Sequence, residues 1–235
     1  MDHSLFDALL KQHVAVGLVD YDAFARAPTF PRYLSALDAA PVDELPVSER
    51  LAFWINAYNA YTIQLVIAHG ERNSIRNINK TLGFLALKGP WTERLARVGG
   101  RVYTLDQIEN EILRREFDEP RIHFALVCAA RGCPPLRSEA YTATRVDQQL
   151  EDQARHFILG SPEKNRVDIT EGIVWVSMIF VHYREDFGGS KAAIGRYIAG
   201  FHPAGPERVL LESGRFALKQ TPYDWSLNAR PRAVR

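Results

Sequence analysis

The chain of 235 residues holds only two cysteines, Cys128 and Cys133. Two cysteines make no disulfide framework, so a packed core has to hold the fold. Charge of one sign is also missing, because 29 basic and 28 acidic side chains leave a formal net charge of +1. No bulk attraction toward nucleic acid or an anionic membrane follows from that balance. No apolar run is long enough to span a bilayer. The N-terminus, MDHSLFDALLKQ, lacks the basic-then-apolar order of a signal peptide. An exported form trimmed of its leader would read the same, so the compartment stays open between cytoplasm and export. Internal repeats, low-complexity segments and linkers are absent too. What is present, 46% hydrophobic and 24% charged residues, is the composition of a soluble globular chain with a sizeable core.

The first 40 residues carry short helical patterns, with Leu5, Phe6, Leu9 and Leu10 in one and Tyr33, Leu34 and Leu37 in another. Between them, 17–21 reads as a turn. Ser48 is a suitable N-cap for a helix that runs to a stop at Gly70. That helix, ERLAFWINAYNAYTIQLVIAHG, is apolar nearly all round and is expected to be the central buried element. Asn56 and Asn59 interrupt it on one face, three residues apart. Buried amides need partners, so they tie the helix to neighbouring backbone or line a site.

Residues 72–100 read as irregular and polar, and 101–105 as a short strand. Thr104 and Gln107 have capping-box spacing for the helix LDQIENEILRREF. Leu105, Ile108 and Ile112 make its apolar stripe, and Glu109 borders that stripe. Further on, 144–159 is predicted helical, 166–169 and 172–177 a strand pair, and 180–187 and 191–198 two short helices. Residues 209–211 and 215–218 read as a terminal hairpin around Ser213-Gly214. Helices come mostly first and strands mostly last, an order that favours an α+β fold.

The chemistry concentrates in 121–137, RIHFALVCAARGCPPLR. Its part 122–129 is apolar except for His123 and reads as a buried strand. Alternation would put His123 on one face and Cys128 on the other, as an inert core thiol. Cys133 precedes Pro134-Pro135, a pattern that suits a helix N-terminus, where free amides and the helix dipole favour a thiolate. Cysteine catalysis needs that thiolate, an imidazole in reach and a group to orient the imidazole. Cys133, His123 and Glu109 fill those roles, with neighbouring backbone amides as an oxyanion hole.

Other readings compete. A lone histidine in an apolar strand is more often a hydrogen-bonded core residue. The two cysteines are a rival redox pair, although their spacing is not Cys-X-X-Cys. Together with His123 they number three zinc ligands, but opposite strand faces argue against a metal. His182, in VHYREDF, is an alternative base.

Several stretches taken together resemble the domain of unknown function 547 family. They are YDAF, ERLAFWINAYNAYTI, LDQIENEILR, DEPRIHFALVCAARGCPPLR, HYREDFG and YDWSLN, in order along the chain. The resemblance covers one domain, 2–228, and leaves 229–235 as a tail. It implies a cysteine-proteinase-like fold of the papain or transglutaminase type, helices packed on a mainly antiparallel sheet. It also implies a Cys–His–Glu constellation at Cys133, His123 and Glu109, with Asn56 and Asn59 in the shared motif FWINAYN. Arg131 stands where lysine is frequent in the family, and His182 where an aromatic residue is expected. The family has no well-established reaction.

The sequence thus leads to a cysteine-dependent hydrolase or acyl transferase acting on an amide or thioester of a small molecule or peptide. Asn56, Asn59, Arg131 and Arg137 would shape and charge its pocket. No cofactor, metal, nucleic acid or membrane insertion is expected. The rival is a binding or scaffold domain that keeps the fold without turnover.

Overall fold

Helix α4 (Val47–Ala68) is the most buried long element of the chain. Phe53, Ile55, Ala57, Ala60, Leu65 and Val66 have no solvent exposure, and Trp54, Tyr58 and Tyr61 almost none. Each large apolar side chain so buried contributes roughly 1.5–3 kcal/mol, which is why a helix with little amphipathic contrast folds inward. Its N-cap is Pro46, two residues before the expected Ser48, because Arg50 N–H already bonds the Pro46 carbonyl at 2.8 Å. It stops where expected, at Gly70, whose φ is +59°.

A computed structural model describes residues 1–79 and 89–231. Within the polar stretch expected over 72–100, residues 80–88 lie outside the described residues, as do 232–235 of the expected tail. The chain forms two compact units, one of Met1–Leu150 with Trp225–Arg235 and one of Glu151–Asp224. Both mix helices with small sheets, so the fold class is α+β.

In the first unit, α1 (Ser4–His13), a tight hairpin of β1 (Val14–Ala15) and β2 (Leu18–Val19), α2 (Tyr21–Arg26) and α3 (Thr29–Asp38) follow in order. Phe6 stacks on Tyr33 with ring centroids 4.8 Å apart, and Phe24 meets Phe30 edge-on at 5.2 Å. After α4, β3 (Ala96–Val98) and β4 (Arg101–Tyr103) pair antiparallel around Gly99-Gly100. Both glycines have positive φ, 56° and 73°, the conformation a two-residue hairpin requires. The sequence reading missed β3, although VGGRV carried that signal.

The next helix begins as expected. Thr104 Oγ1 accepts the Gln107 N–H, and Gln107 Oε1 accepts the Thr104 N–H, both at 3.0 Å. α5 (Leu105–Gln107) then widens into a π-helical turn, Ile108–Leu113, before α6 (Arg114–Glu116). The extra residue per turn shifts the buried face. Leu113 is buried where Ile112 was expected, and Glu109 turns inward with 8% exposure.

The segment 122–129 is not a strand. It forms one helical turn, α7 (Ile122–Ala125), followed by extended chain that joins none of the sheets. A short apolar run does not distinguish a buried strand from a buried helical turn. Glu119 decides between them locally. Its carbonyl takes the Ile122 N–H at 3.1 Å and its carboxylate the Arg121 N–H at 3.0 Å, starting a helix.

In the second unit, β5 (Arg166–Asp168) pairs antiparallel with β6 (Ile173–Val176), as expected. The chain enters it within α8 (Val146–Leu159). α10 (Lys191–Ala199) falls where predicted, whereas the helix expected over 180–187 is split into α9 (Met178–His182) and a 3-10 turn, Arg184–Phe187. The terminal hairpin does not form. Residues 206–213 are helix α11 (Pro206–Ser213), and β7 (Ala217–Gln220) runs parallel to β6. Pro206 at the first turn and Gly214 in the left-handed region at the C-cap are helix punctuation that the hairpin reading took for a turn. Among the described residues, the expected single, mainly antiparallel sheet is thus replaced by two hairpins and one mixed three-stranded sheet.

Candidate active site

Asn59 and Tyr58, adjacent in α4, reach two different candidate elements. Asn59 donates Nδ2 to the Ala125 carbonyl and accepts the Val127 N–H on Oδ1, both at 3.0 Å. That two-point grip fixes the chain where α7 ends and the cysteine segment begins. The Tyr58 hydroxyl donates to Glu109 Oε2 at 3.0 Å. The buried carboxylate of the π-turn and the segment that carries His123 therefore meet the same turn of α4. His123 itself is buried in α7, with 3% exposure.

Asn56 makes the same grip elsewhere. Its Nδ2 donates to the Tyr141 carbonyl at 2.8 Å, and its Oδ1 accepts the Tyr141 N–H at 2.9 Å. Both asparagines thus hold backbone, the first of the two roles that the sequence left open.

Cys128 and Cys133 are joined in a disulfide, with their Cα atoms 6.3 Å apart. Cys133 is the more buried, at 4% exposure, and Cys128 is half-buried, the reverse of the expectation from strand faces. Cys133 does not start a helix either. Proline disfavours helical backbone in the residue before it; Cys133 instead closes a turn, its N–H bonding the Ala130 carbonyl at 3.1 Å, and Leu136 bridges to Gly17. The Cys128 N–H points to Cys133 Sγ at 3.2 Å. The intervening Ala129 has φ +62° and 1% exposure. A left-handed alanine costs roughly 1–2 kcal/mol and persists only where its surroundings enforce it.

Those surroundings come largely from the chain ends. Ala129 accepts the Asn228 N–H at 3.0 Å, and Arg131 N–H donates to the Ser226 carbonyl at 2.8 Å. Asn228 in turn accepts the hydroxyl of Tyr21 and donates Nδ2 to the Gly17 carbonyl at 3.4 Å. Gly17, Tyr21 and Asn228 were missed as supports of the site. YDAF and YDWSLN, the stretches that hold two of them, carried the signal.

Arg131 is exposed, with Nη2 3.4 Å from the Ala229 carbonyl. Arg137 pairs with Glu139 at 2.6 Å, and Arg145 joins the same carboxylate at 3.0 Å. Burial raises the Glu139 pKa, but hydrogen bonds from Arg137, Arg145 and Gln149 outweigh it and hold the group below the usual range. His182 is exposed and belongs to the second unit, with its ring edge-on to Tyr183. A cleft of about 460 Å³ in the first unit runs past His3, Glu49 and Thr144. Another, of about 360 Å³ in the second unit, is lined by Arg166, Trp175 and His202. Neither is lined by Cys133, His123 or Glu109. Among the described residues no group of three or more His, Cys, Asp or Glu is placed to hold a metal, and no helix is long and apolar enough to cross a membrane.

A family model described as "Protein of unknown function, DUF547" matches residues 42–158. The chain belongs to that family. The DUF547 segment contains all seven candidate residues, from Asn56 to Arg137, and α4, the π-turn and α7 that carry four of them. Gly17, Tyr21 and Asn228 lie outside the matched DUF547 residues. No curated protein and no solved structure matches the chain.

Proposed function

We propose that this DUF547 protein is a cysteine-dependent hydrolase or acyl transferase acting on an amide or thioester, built on a cysteine-proteinase-like core. The observation that carries the reading is the shared turn of α4. Tyr58 holds the buried carboxylate of Glu109, and Asn59 holds the segment leading from His123 to the cysteines. A carboxylate buried on a π-turn supports the reading, because such turns cluster at functional sites. In the reduced protein Cys133 attacks the acyl carbon, and the Cys128 N–H lies beside the sulfur that carries the charge. His123 takes the thiol proton and returns it to the leaving amine or thiol, and Glu109 orients the imidazole. Water or an acceptor, deprotonated by His123, then releases the acyl group. Arg131, exposed within the cysteine loop, suits a substrate carrying negative charge, whereas Arg137 is engaged by Glu139.

The rival reading is a binding or scaffold domain that keeps the Cys128–Cys133 bond closed and turns nothing over. One experiment separates the two. The protein is reduced with dithiothreitol, freed of reductant and incubated with a simple acyl thioester, and peptides are mapped by mass. The enzyme reading requires faster acylation of Cys133 than of Cys128, with release of the acyl group slowed in His123→Ala. Equal acylation of both thiols, unaffected by that substitution, leaves the scaffold reading.

A further inference from the structure

We infer that Cys128 and Cys133 form a reversible dithiol–disulfide site, reduced by a protein or small-molecule dithiol, which controls whether the Cys133 thiol is available. The availability of a nucleophile rests on the function proposed above; the redox site itself does not.

The bond closes a short loop, because the cysteines are five residues apart in sequence. Short loops gain little from closure, since the entropy removed from the unfolded chain grows with loop length. The loop is also already held without it. Asn59 grips Ala125 and Val127 before it. Asn228 and Ser226 take Ala129 and Arg131 within it, and Cys133 N–H bonds the Ala130 carbonyl at 3.1 Å. Leu136 bridges to Gly17 after it. A bond that adds so little to a segment so fully tied is a poor staple. The same ties keep the two sulfurs near each other once the bond is open, so it re-forms readily.

The two sulfurs differ in a way that sets the direction of attack. Cys128 is half-buried and reachable, while Cys133 is buried. A thiolate of the reductant attacks Cys128 Sγ and forms a mixed disulfide with it. The Cys128–Cys133 bond breaks, and its electron pair leaves on Cys133 Sγ, toward which the Cys128 N–H points at 3.2 Å. Stabilising the leaving thiolate speeds exchange. The second thiol of the reductant then attacks its own sulfur in the mixed disulfide and releases Cys128. Two electrons and two protons pass to the protein, and the dithiol becomes a disulfide. Ala129, between the two cysteines at φ +62°, is tied by the Asn228 N–H at 3.0 Å, a bond that does not pass through the disulfide.

The test uses the full chain equilibrated in buffers of stepped reduced-to-oxidised dithiothreitol ratio, quenched in acid and labelled with a heavy maleimide. Two thiols are expected to appear together, to disappear when the ratio is reversed, and to leave the melting temperature within a few degrees. Thiols that appear only in denaturant, or that do not re-pair on reoxidation, overturn the site. A second arm reads acylation of Cys133 by the thioester. It should require reductant in the wild type and be independent of reductant in Cys128→Ser. Wild-type acylation that is equal in reduced and oxidised buffers overturns the control of the thiol, yet leaves an enzyme. Reversible pairing with no acylation in either protein supports the redox site and defeats the enzymatic reading instead.

Discussion

Val127 gives its backbone N–H to the Oδ1 of Asn59 at 3.0 Å, and the same side chain gives its Nδ2 to Ala125. One buried amide on the central helix thus replaces the strand partner that 122–129 lacks. Asn56 does the same for Tyr141. Removing either side chain leaves a buried carbonyl and a buried N–H unpaired, at about 1–3 kcal/mol for each group. Asn59→Ala and Asn56→Ala should both lower stability by about 2 kcal/mol or more in urea unfolding. Only Asn59→Ala should also slow Cys133 acylation in the folded, reduced protein, because only Asn59 holds the cysteine segment. Equal activity in the two variants would detach Asn59 from the site.

Gly17 supports the other end of that segment. A Cβ there would lie 2.4 Å from Pro135 Cβ and 2.7 Å from Pro135 Cα, and φ is +74°. Gly17→Ala therefore combines a left-handed alanine, about 1–2 kcal/mol, with a clash against backbone that has to move. Gly70→Ala is the control, since φ is +59° but nothing lies within 4 Å of its Cβ. Gly70→Ala should cost about 1 kcal/mol, and Gly17→Ala clearly more. Matching thermal melts would mean that Pro135 yields freely.

His3 gives a pH dependence remote from the cysteines. Its Nδ1 meets the Tyr33 hydroxyl at 2.8 Å, and the residue is 7% exposed. Burial, helped by the N-terminal ammonium, lowers its pKa from 6.5 to about 4. Between those values the unfolded chain binds a proton that the folded chain refuses, so stability is full above 6.5 and declines as pH falls toward 4. The decline is worth at most about 3 kcal/mol. The melting-temperature advantage of wild type over His3→Gln should therefore shrink from pH 7 to pH 4. An advantage that stays constant would show that His3 protonates as readily in the folded chain as in the unfolded one.

What was legible in the sequence was whatever rests on local chemistry. The capping box at Thr104 and Gln107, the buried α4 and the stop at Gly70 follow from residue type and spacing alone. The misreadings share a cause. Whether 122–129 becomes strand or helical turn depends on Glu119 and Asn59, one just before the segment and the other 66 residues from Ala125. Pro134, which keeps Cys133 out of a helix, stood in plain view, but the bridge from Leu136 to Gly17 is non-local again. The π-turn moved the stripe from Ile112 to Leu113 because a 3.6-residue period has no place for an inserted residue.

Tyr58, which the sequence reading passed over as core, makes the triad testable link by link. In the reduced protein the Cys128 N–H and an adjacent imidazole should both favour the Cys133 thiolate. Alkylation of Cys133 against pH should then show a midpoint below the ordinary thiol value of ~8.5. His123→Ala should move that midpoint upward most, because it deletes the cation that stabilises the thiolate. Glu109→Gln should move it less, by loosening and neutralising the support of the imidazole. Tyr58→Phe should move it least and in the same direction, since it removes only the hydroxyl held at 3.0 Å from Glu109 Oε2. That graded order is what a chain of sulfur, imidazole, carboxylate and phenol requires, and loss of packing alone would not produce it. Cys128→Ser serves as the background throughout, so that a single thiol is read and no disulfide intervenes. A Cys133 midpoint near ~8.5 that ignores all three substitutions would remove His123 and Glu109 from the reaction. The DUF547 segment would then be a binding domain whose buried carboxylate serves the packing of α4.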